Sequence, residues 1–142
     1  MIYTKMTKLA LKLCFDAHKD QLDKSGLPYV FHPFYLAEQM NDEITVTVAL
    51  LHDVVEDTHY TFSDLEKMGF SQPVLEALKL LTRDDSVPYM EYVKKLKSNP
   101  VARKVKLADL AHNSDNSRLD TMDEIARKRC EKYIKAIELL SE

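Results

Sequence analysis

The amino-acid sequence predicts an all-α fold of about seven to eight helices, in one domain that spans residues 1–142. Apolar residues recur at the three- and four-residue spacing of amphipathic helices along most of the chain. Only 2 glycines occur, and no dipeptide typical of a β-hairpin turn is present. No internal repeat or low-complexity tract interrupts this pattern. With 45% hydrophobic residues, the chain is long enough to bury one well-filled core.

The first two predicted helices lie on either side of a short loop. The first covers residues 3–20 or so, because its apolar residues share one face. These residues are Met6, Leu9, Ala10, Leu13, Cys14 and Ala17. Residues 24–28 then form a loop, and Pro33 takes the first turn of the second helix, where its missing N–H needs no partner. His32 is therefore expected at the junction of this loop and the second helix.

The most apolar stretch of the chain, residues 44–51, has two interpretations. Residues 44–48 alternate in polarity as a β-strand does. The apolar run nevertheless continues through residues 49–51, which favours a buried helix. This helix would lead directly into His52 and Asp53.

Two further helices are expected in the middle of the chain. Ser63 and Glu66 have the spacing of a capping box, and Gly69 suits a helix end, so a short helix is predicted between them. Another helix begins at residues 71–76, with Pro73 tolerated in its first turn.

Three more helices complete the predicted fold. Residues 88–97 form the first of them. Asn99 caps the next, which covers residues 100–113. The last helix begins near Thr121, whose spacing to Glu124 fits a capping box. Its apolar face carries Ala126, Cys130, Tyr133, Ile137 and Leu140.

Charge and hydropathy limit the classes of protein to which the chain can belong. The formal net charge of -3 and the pI near 6.0 give no basic field for nucleic acid. No apolar run reaches the roughly 18 residues of a membrane span. Lys5 and Lys8 interrupt the amino-terminal helix pattern, unlike the core of a signal peptide. We therefore expect a cytoplasmic protein that has neither nucleic acid nor membrane as a partner. A local basic pocket for a small phosphorylated molecule is compatible with this charge.

The cysteines and tyrosines carry less information. Cys14 and Cys130 lie far apart on apolar helix faces, so we expect buried, reduced thiols rather than a disulfide or a zinc-thiolate site. Tyr89, Tyr92 and Tyr133 suit a dimer face as well as a core. A homo-oligomer is therefore an open alternative.

The segment after residues 44–51 carries the strongest chemical signal. His52, Asp53, Glu56 and Asp57 are side chains that bind metals or transfer protons, and on a helix they would converge along one stripe. A solvated helix end is the alternative interpretation. Because the preceding stretch is so apolar, however, the His-Asp pair would be a buried charge unless a cation neutralised it. This context predicts a metal or catalytic site.

A second signal lies in the helix of residues 100–113. Asp109 and Asn113 share one helix face within an apolar segment, where a carboxylate is costly unless it is paired. Lys106, Lys104 or Arg103 would be a purely structural partner. The case for a metal ligand at Asp109 therefore depends on the other motifs.

Together these segments resemble the HD superfamily of phosphohydrolases, whose pattern is an early His, an adjacent His-Asp pair and a distant Asp. More narrowly, residues 31–33 (Phe-His-Pro), residues 52–57 and residues 106–109 with His112 and Asn113 resemble the hydrolase domain of RelA/SpoT-type alarmone enzymes. The resemblance runs from about residue 10 to residue 118 and includes residues 17–18, 21, 24–26 and 28–29.

The resemblance implies a compact helical HD-domain fold and a metal held by His32, His52, Asp53 and Asp109. In the family this metal is most often manganese, although two imidazoles and two carboxylates suit several divalent ions. The implied reaction releases pyrophosphate from the 3′ side of an alarmone such as ppGpp. We expect no synthetase activity, because the chain is too short to hold that half of the bifunctional relatives as well.

The resemblance also implies roles for residues that are not metal ligands. Glu56 is predicted to be the main general base, and Asp57 to assist it, because neighbouring carboxylates beside a cation can divide these tasks. Asn113 matches a position that contacts the sugar or a nearby phosphate. Lys24 and Ser25 match the loop that borders the base, although a surface lysine and a turn serine are the alternative interpretation.

One departure from the family pattern concerns the base. Relatives commonly place an arginine immediately before the Lys-Ser pair, where it can stack on guanine, whereas this chain has Asp23. A carboxylate offers no such stacking. Hydrolysis of another nucleotide or phosphorylated metabolite is therefore an alternative. A non-catalytic nucleotide-binding module is a separate alternative, against which the intact Glu56 and Asp57 argue.

Three histidines outside the ligand set have weaker assignments. His18 and His59 are expected behind the metal ligands or at the surface. His112 is expected either to hydrogen-bond a ligand carboxylate or to serve ordinary packing.

Overall fold

The computed structural model describes residues 1–142 and consists of nine helices. They are α1 (Lys5–His18), α2 (Phe31–Glu38), α3 (Glu43–Leu51), α4 (Val54–Asp57), α5 (Phe62–Lys67), α6 (Gln72–Leu81), α7 (Tyr89–Leu96), α8 (Pro100–Asn113) and α9 (Glu124–Ser141). The all-α fold class is confirmed. The helix number exceeds the expected seven to eight or so because α4 is a separate segment of only one turn.

Helix α3 lies at the centre of the molecule and contacts α1, α2, α6 and α8. Residues 45–51 are all buried, as expected for a helix that is apolar on every side. The side chain of Asp42 caps its amino end by accepting a hydrogen bond from the Thr45 N–H at 2.8 Å. The hydroxyl of Thr47 donates to Glu43 O at 2.8 Å, so this buried polar group is satisfied within the helix. Helix was thus the right interpretation of the ambiguous stretch.

The predicted continuous helix through residues 52–57 is wrong. Helix α3 ends at Leu51, His52 and Asp53 form a turn, and α4 follows. The physical reason lies in the His52 side chain, whose Nδ1 donates to Ala49 O at 2.7 Å. This is the carbonyl that the Asp53 N–H would use in a continuing helix.

Two of the predicted helix starts are displaced, while two others are confirmed. Thr61, not Ser63, caps α5 and forms the capping box with Asp64. Asp123, not Thr121, caps α9 by accepting from the Ala126 N–H at 2.8 Å. In both cases the cap is the residue just before the helix, whose backbone is extended and whose side-chain oxygen reaches the N–H three residues further on. Asn99 caps α8 and Pro73 lies in the first turn of α6, as predicted.

The buried apolar residues form one cluster of 27 side chains, to which every helix contributes. Helix α9 contributes only from its carboxy-terminal half, through Ala136 and Leu140. Cys14 and Cys130 are free and buried, as expected. Burial raises the pKa of Cys14 to about 12, so its thiol stays protonated. Tyr92 belongs to the core, whereas Tyr89 and Tyr133 pack against it. None of the helices combines the length and the apolarity that a membrane crossing needs.

Candidate active site

The four predicted metal ligands lie together in the fold. His32 comes from the first turn of α2, His52 and Asp53 from the turn between α3 and α4, and Asp109 from the third turn of α8. The ligating atoms of His32, His52 and Asp109 all lie within 4.8 Å of one another, and these three residues are buried. Asp53 joins this group through its Oδ2, which lies 3.0 Å from His52 Nε2.

The orientation of His52 shows that the cluster fits a cation. Because Nδ1 donates to a backbone carbonyl, Nε2 of the neutral ring carries the lone pair. This buried nitrogen faces oxygens of Asp53 at 3.0 Å and Asp109 at 3.5 Å. A lone pair and two carboxylates that point at one another require a positive charge between them, either a proton or a metal ion.

The electrostatics of the buried pair lead to the same conclusion. Burial alone would lower the pKa of His52, but the charges of Asp53 and Asp109 raise it well above its usual value. Burial alone would raise the pKa of Asp109, but Lys106 and the histidines hold it well below its usual value. The cluster therefore favours negative carboxylates and attracts a cation.

His32 is held from behind by a second imidazole. Its Nε2 lies 2.8 Å from Asp109 Oδ1, and its Nδ1 lies 2.7 Å from Nδ1 of His112. Burial and the nearby His32 lower the pKa of His112 to about 4, so His112 is neutral near pH 7 and can accept a hydrogen bond. His112 therefore orients the imidazole of His32, a predicted ligand, and not a carboxylate as one of its expected roles had it.

Lys106 and Asn113 both contact Asp109. Lys106 Nζ lies 3.0 Å from Asp109 Oδ2, and Asn113 Nδ2 donates to Asp109 Oδ1 at 3.0 Å. The structural partner considered from the sequence is therefore present, but it occupies only one carboxylate oxygen. Oδ1 still faces His32 and His52. Lys106 also lines the adjacent cavity.

Tyr29 is a further part of the site that the sequence did not assign. Its hydroxyl donates a hydrogen bond to Asp53 Oδ2. His18 lies behind Tyr29, with the ring centroids 4.9 Å apart, and its Nδ1 pairs with Gln21 Oε1 at 2.8 Å. The resemblance had included these three positions, which was the available signal. His59 is exposed and stacks on Tyr60, in agreement with a surface role.

Glu56 and Asp57 form a second carboxylate group with Asp53, again with ligating atoms within 4.8 Å of one another. Both line the wall of the cavity and remain accessible to solvent. Partial burial raises the pKa of Glu56, and partial burial together with the charge of Asp53 raises that of Asp57. Glu56 Oε1 also accepts a hydrogen bond from the Arg83 N–H at 3.0 Å, which fixes its orientation.

A cavity of about 540 Å³ extends from the carboxylates to a group of cations. The cationic side chains on its wall, besides Lys106, are Lys24, Arg118 and Arg129. A second cavity of about 270 Å³ shares Lys24, Ser25, Leu119 and Arg129 with the first but none of the metal-binding group. These residues therefore mark the end of the large cavity that is remote from the predicted metal ligands. Arg118 and Arg129 were not predicted, because neither belongs to a motif.

The loop that carries Lys24 and Ser25 is organised by Asp23. Asp23 Oδ1 accepts from the N–H groups of Ser25 at 2.8 Å and Leu27 at 3.0 Å. Gly26 completes the turn with φ +81°, a conformation that side chains disfavour. Asp23 Oδ2 lies 3.4 Å from Arg118 Nη1, so the residue that departs from the family pattern forms an ion pair with a distant arginine.

Comparisons with known proteins place the chain in a family. No family model matches the chain. The bifunctional (p)ppGpp synthase/hydrolase SpoT of Escherichia coli is 35% identical over 147 aligned positions, which cover 91% of this chain. The alignment covers only 21% of SpoT, so the chain spans about a fifth of that relative's length.

Shorter relatives match over most of both chains. The guanosine-3′,5′-bis(diphosphate) 3′-pyrophosphohydrolase MESH1 of Xenopus tropicalis is 32% identical, with 87% of this chain and 76% of MESH1 aligned. Human MESH1 is also 32% identical, with 78% and 68% aligned. The solved structure of a metazoan SpoT orthologue described as hydrolysing ppGpp superposes with a TM-score of 0.79 at 25% identity, over 99% of this chain and 88% of that one. The predicted resemblance is confirmed, and the chain belongs to the SpoT- and MESH1-type family of guanosine-3′,5′-bis(diphosphate) 3′-pyrophosphohydrolases.

Proposed function

We propose that this protein is a metal-dependent hydrolase that removes pyrophosphate from the 3′ position of (p)ppGpp. The observation that carries the proposal is one cavity, whose lining joins His32, Asp53 and Asp109 to a group of cations. These cations are Lys24, Arg118 and Arg129, with Lys106 beside Asp109. Such a cavity suits a nucleotide with phosphates at two positions. The MESH1 proteins, which this chain matches over most of their length, are named for this reaction.

The proposed metal ligands are His32, His52, Asp53 and Asp109, and the proposed ion is Mn²⁺. Imidazole and carboxylate donors suit borderline and hard divalent ions, to which manganese belongs. When bound, the ion supplies Lewis-acid chemistry, since it polarises a phosphoryl oxygen and lowers the pKa of water. The residues around the ligands keep them oriented. Tyr29 donates a hydrogen bond to Asp53, and His112 pairs with His32. His52 donates to Ala49 O, and Lys106 and Asn113 contact Asp109.

Glu56 is the proposed general base. Its carboxylate takes the proton of the water that attacks phosphorus, and this proton balances the one gained by the departing 3′ oxygen. A pKa raised by partial burial brings Glu56 closer to the operating pH, which suits a group that must gain and lose a proton. Asp57 lies beside the same carboxylate group and assists through its charge. The Arg83 N–H keeps one oxygen of Glu56 in place.

Lys24, Ser25 and Asn113 are the proposed substrate-binding residues, and all three line the large cavity. Asn113 lies next to the metal ligands, where it can reach the ribose or the 3′ phosphate. Burial and the like charges of Arg129 and Lys132 lower the pKa of Lys24. Lys24 has no carboxylate within 4.0 Å, so its ammonium group is available to bind a substrate phosphate.

The experiment that tests the function measures pyrophosphate release from ppGpp by Mn²⁺-loaded protein. Release that is lost in Asp53→Ala, while the variant remains folded, supports the proposal. A panel of other nucleotides and phosphorylated metabolites runs in parallel, because Asp23 departs from the family pattern. Release from another substrate but not from ppGpp would transfer the same chemistry to that substrate. Tight nucleotide binding without any release would identify a binding module instead.

A further inference from the structure

We propose that Arg118, positioned by Asp23, is the platform on which the nucleobase of the substrate stacks. The proposal rests on the proposed function in taking a nucleotide as the ligand of the large cavity. It assigns the base to one residue outside the motifs, and it assigns Asp23 to positioning that residue.

Arg118 lies in the right part of the molecule for this role. It belongs to the segment between α8 and α9 and lines the large cavity. The next residue, Leu119, lines both cavities, so this segment borders the end that is remote from the metal ligands. A nucleotide with its 3′ pyrophosphate at the metal ligands would extend its other groups towards this end.

The hydrogen bonds of Arg118 leave its planar face as the principal binding surface. Nη1 lies 3.4 Å from Asp23 Oδ2, and Nη2 donates to His112 O at 3.2 Å. Nε is buried and has no partner. The charge of the guanidinium is therefore paired with Asp23 and each Nη has one partner, while the side chain remains 27% exposed. A guanidinium in this state is poorly suited to a phosphate but retains the flat face that stacks on aromatic rings.

The other cations at this end of the cavity are better suited to phosphate. Neither Lys24 nor Arg129 has a carboxylate within 4.0 Å, in contrast to Arg118. Leu22 and Leu119 add apolar surface to the same wall of the cavity. Leu22 is 69% exposed, an arrangement that contact with an aromatic base would improve. Lys24 and Arg129 are thus suited to the phosphates, whereas Leu22 and Leu119 are suited to the base.

Asp23 is a positioning residue that contacts both the Lys24–Ser25 loop and Arg118 at this end of the cavity. One of its oxygens fixes the Lys24–Ser25 loop through two backbone N–H groups, and the other holds Arg118. Asp23 and Arg118 are separated by 95 residues of sequence. Loss of its charge would release the arginine without removing the acceptor that shapes the loop.

The test compares binding of GDP and of inorganic pyrophosphate to Mn²⁺-loaded protein by calorimetry. Arg118→Ala and Arg118→Lys are both expected to bind GDP about tenfold more weakly than the unmodified protein, because lysine keeps the charge but lacks the plane. Their affinity for pyrophosphate is expected to stay within about twofold of the unmodified value, since the base is absent. For ppGpp hydrolysis the same loss is expected in KM rather than in kcat.

Two further variants complete the test. Asp23→Asn keeps the loop acceptor but loses the charge, so its GDP affinity should lie between those of the unmodified protein and Arg118→Ala. Arg127→Ala is the matched control, because Arg127 lies on the exposed face of α9 and pairs only with Glu124 at 3.6 Å. It should bind GDP normally. Arg118→Lys can retain the ion pair with Asp23 and thereby guards against a loss that is due to unfolding.

Three results would contradict the proposed role of Arg118. Full recovery of GDP binding in Arg118→Lys would show that charge, not the flat face, is recognised. An equal loss of GDP and pyrophosphate affinity would assign Arg118 to phosphate. Absence of GDP binding to the unmodified protein would also overturn it. If GDP binds as expected but ppGpp is not hydrolysed, the proposed function fails while the platform stands.

Discussion

The hydroxyl of Tyr29 donates a hydrogen bond to the carboxylate of Asp53, which lies 24 residues further along the chain. The bond connects the segment that precedes α2 to the turn between α3 and α4. It also occupies the Asp53 oxygen that faces His52 Nε2. Tyr29 therefore determines the direction in which a proposed metal ligand presents its lone pairs.

Replacement of Tyr29 by phenylalanine is expected to weaken Mn²⁺ binding by about 10- to 100-fold, the usual effect of removing an outer partner of a ligand. Metal affinity can be measured by titration with a competing chelator. Tyr60→Phe is the matched control, because its hydroxyl donates to Asp16 at 2.5 Å on the outside of the molecule. An unchanged affinity in Tyr29→Phe would show that Asp53 is oriented without this bond.

Replacement of Glu56 by glutamine is expected to lower ppGpp turnover by roughly 10²- to 10⁴-fold, because glutamine cannot accept the proton of the attacking water. Asp57→Asn should have a smaller effect. Mn²⁺ affinity, measured in parallel, should change little if neither residue is a ligand. Glu66→Gln, an exposed position on α5, serves as the control. Intact turnover in Glu56→Gln would remove the assigned role of this residue.

Mn²⁺ is expected to raise the thermal unfolding midpoint, because the ion binds only the folded arrangement of ligands from three parts of the chain. At an ion concentration about 100-fold above its Kd, the stabilisation should approach roughly 2.7 kcal/mol. Asp109→Ala should abolish the shift, whereas Glu76→Ala, an exposed position on α6, should retain it. A midpoint that is independent of Mn²⁺ in the unmodified protein would argue against a metal at this cluster.

Replacement of Lys106 by methionine is expected to destabilise the metal-free protein by about 3 kcal/mol, because it leaves the Asp109 carboxylate without its buried cationic partner. The loss should be smaller with Mn²⁺ bound, since the ion supplies positive charge beside the same carboxylate. Urea unfolding with chelator and with Mn²⁺ measures both values. Lys104→Met is the matched control, because Lys104 is exposed and bonds only Asn41 Oδ1 at 2.6 Å. Equal losses with and without the ion would contradict this coupling.

His52 and Asp53 could be predicted from sequence because buried charge is a strong signal, whereas His32 and Asp109 were predicted as ligands through the resemblance to the HD superfamily. Residues 44–51 are so apolar that the following His-Asp pair could not be an ordinary surface feature. The predicted route to convergence was nevertheless wrong, since a turn at His52 and Asp53 replaces the shared helix face. Whether the helix continued depended on a hydrogen bond from the His52 side chain to Ala49 O, which no hydrophobic pattern reveals.

Contacts between residues far apart in the chain could not be predicted from the sequence pattern. The bonds of Tyr29 to Asp53 and of Asp23 to Arg118 join segments that become neighbours only when the helices pack. The helix caps show the same limitation on a shorter scale. Thr121 has the capping-box spacing to Glu124, yet Asp123, with its extended backbone next to the first helical residue, caps α9.

The two ends of the large cavity differ in how firmly the fold holds them. His52 follows a helix whose last seven residues are buried, whereas Asp23 and Arg118 belong to connecting segments at the surface. Connecting segments tolerate substitution far better than a packed core does. Over evolutionary time, the identity of the accepted nucleotide can therefore drift through changes in two loops, while the hydrolytic chemistry is inherited almost unaltered.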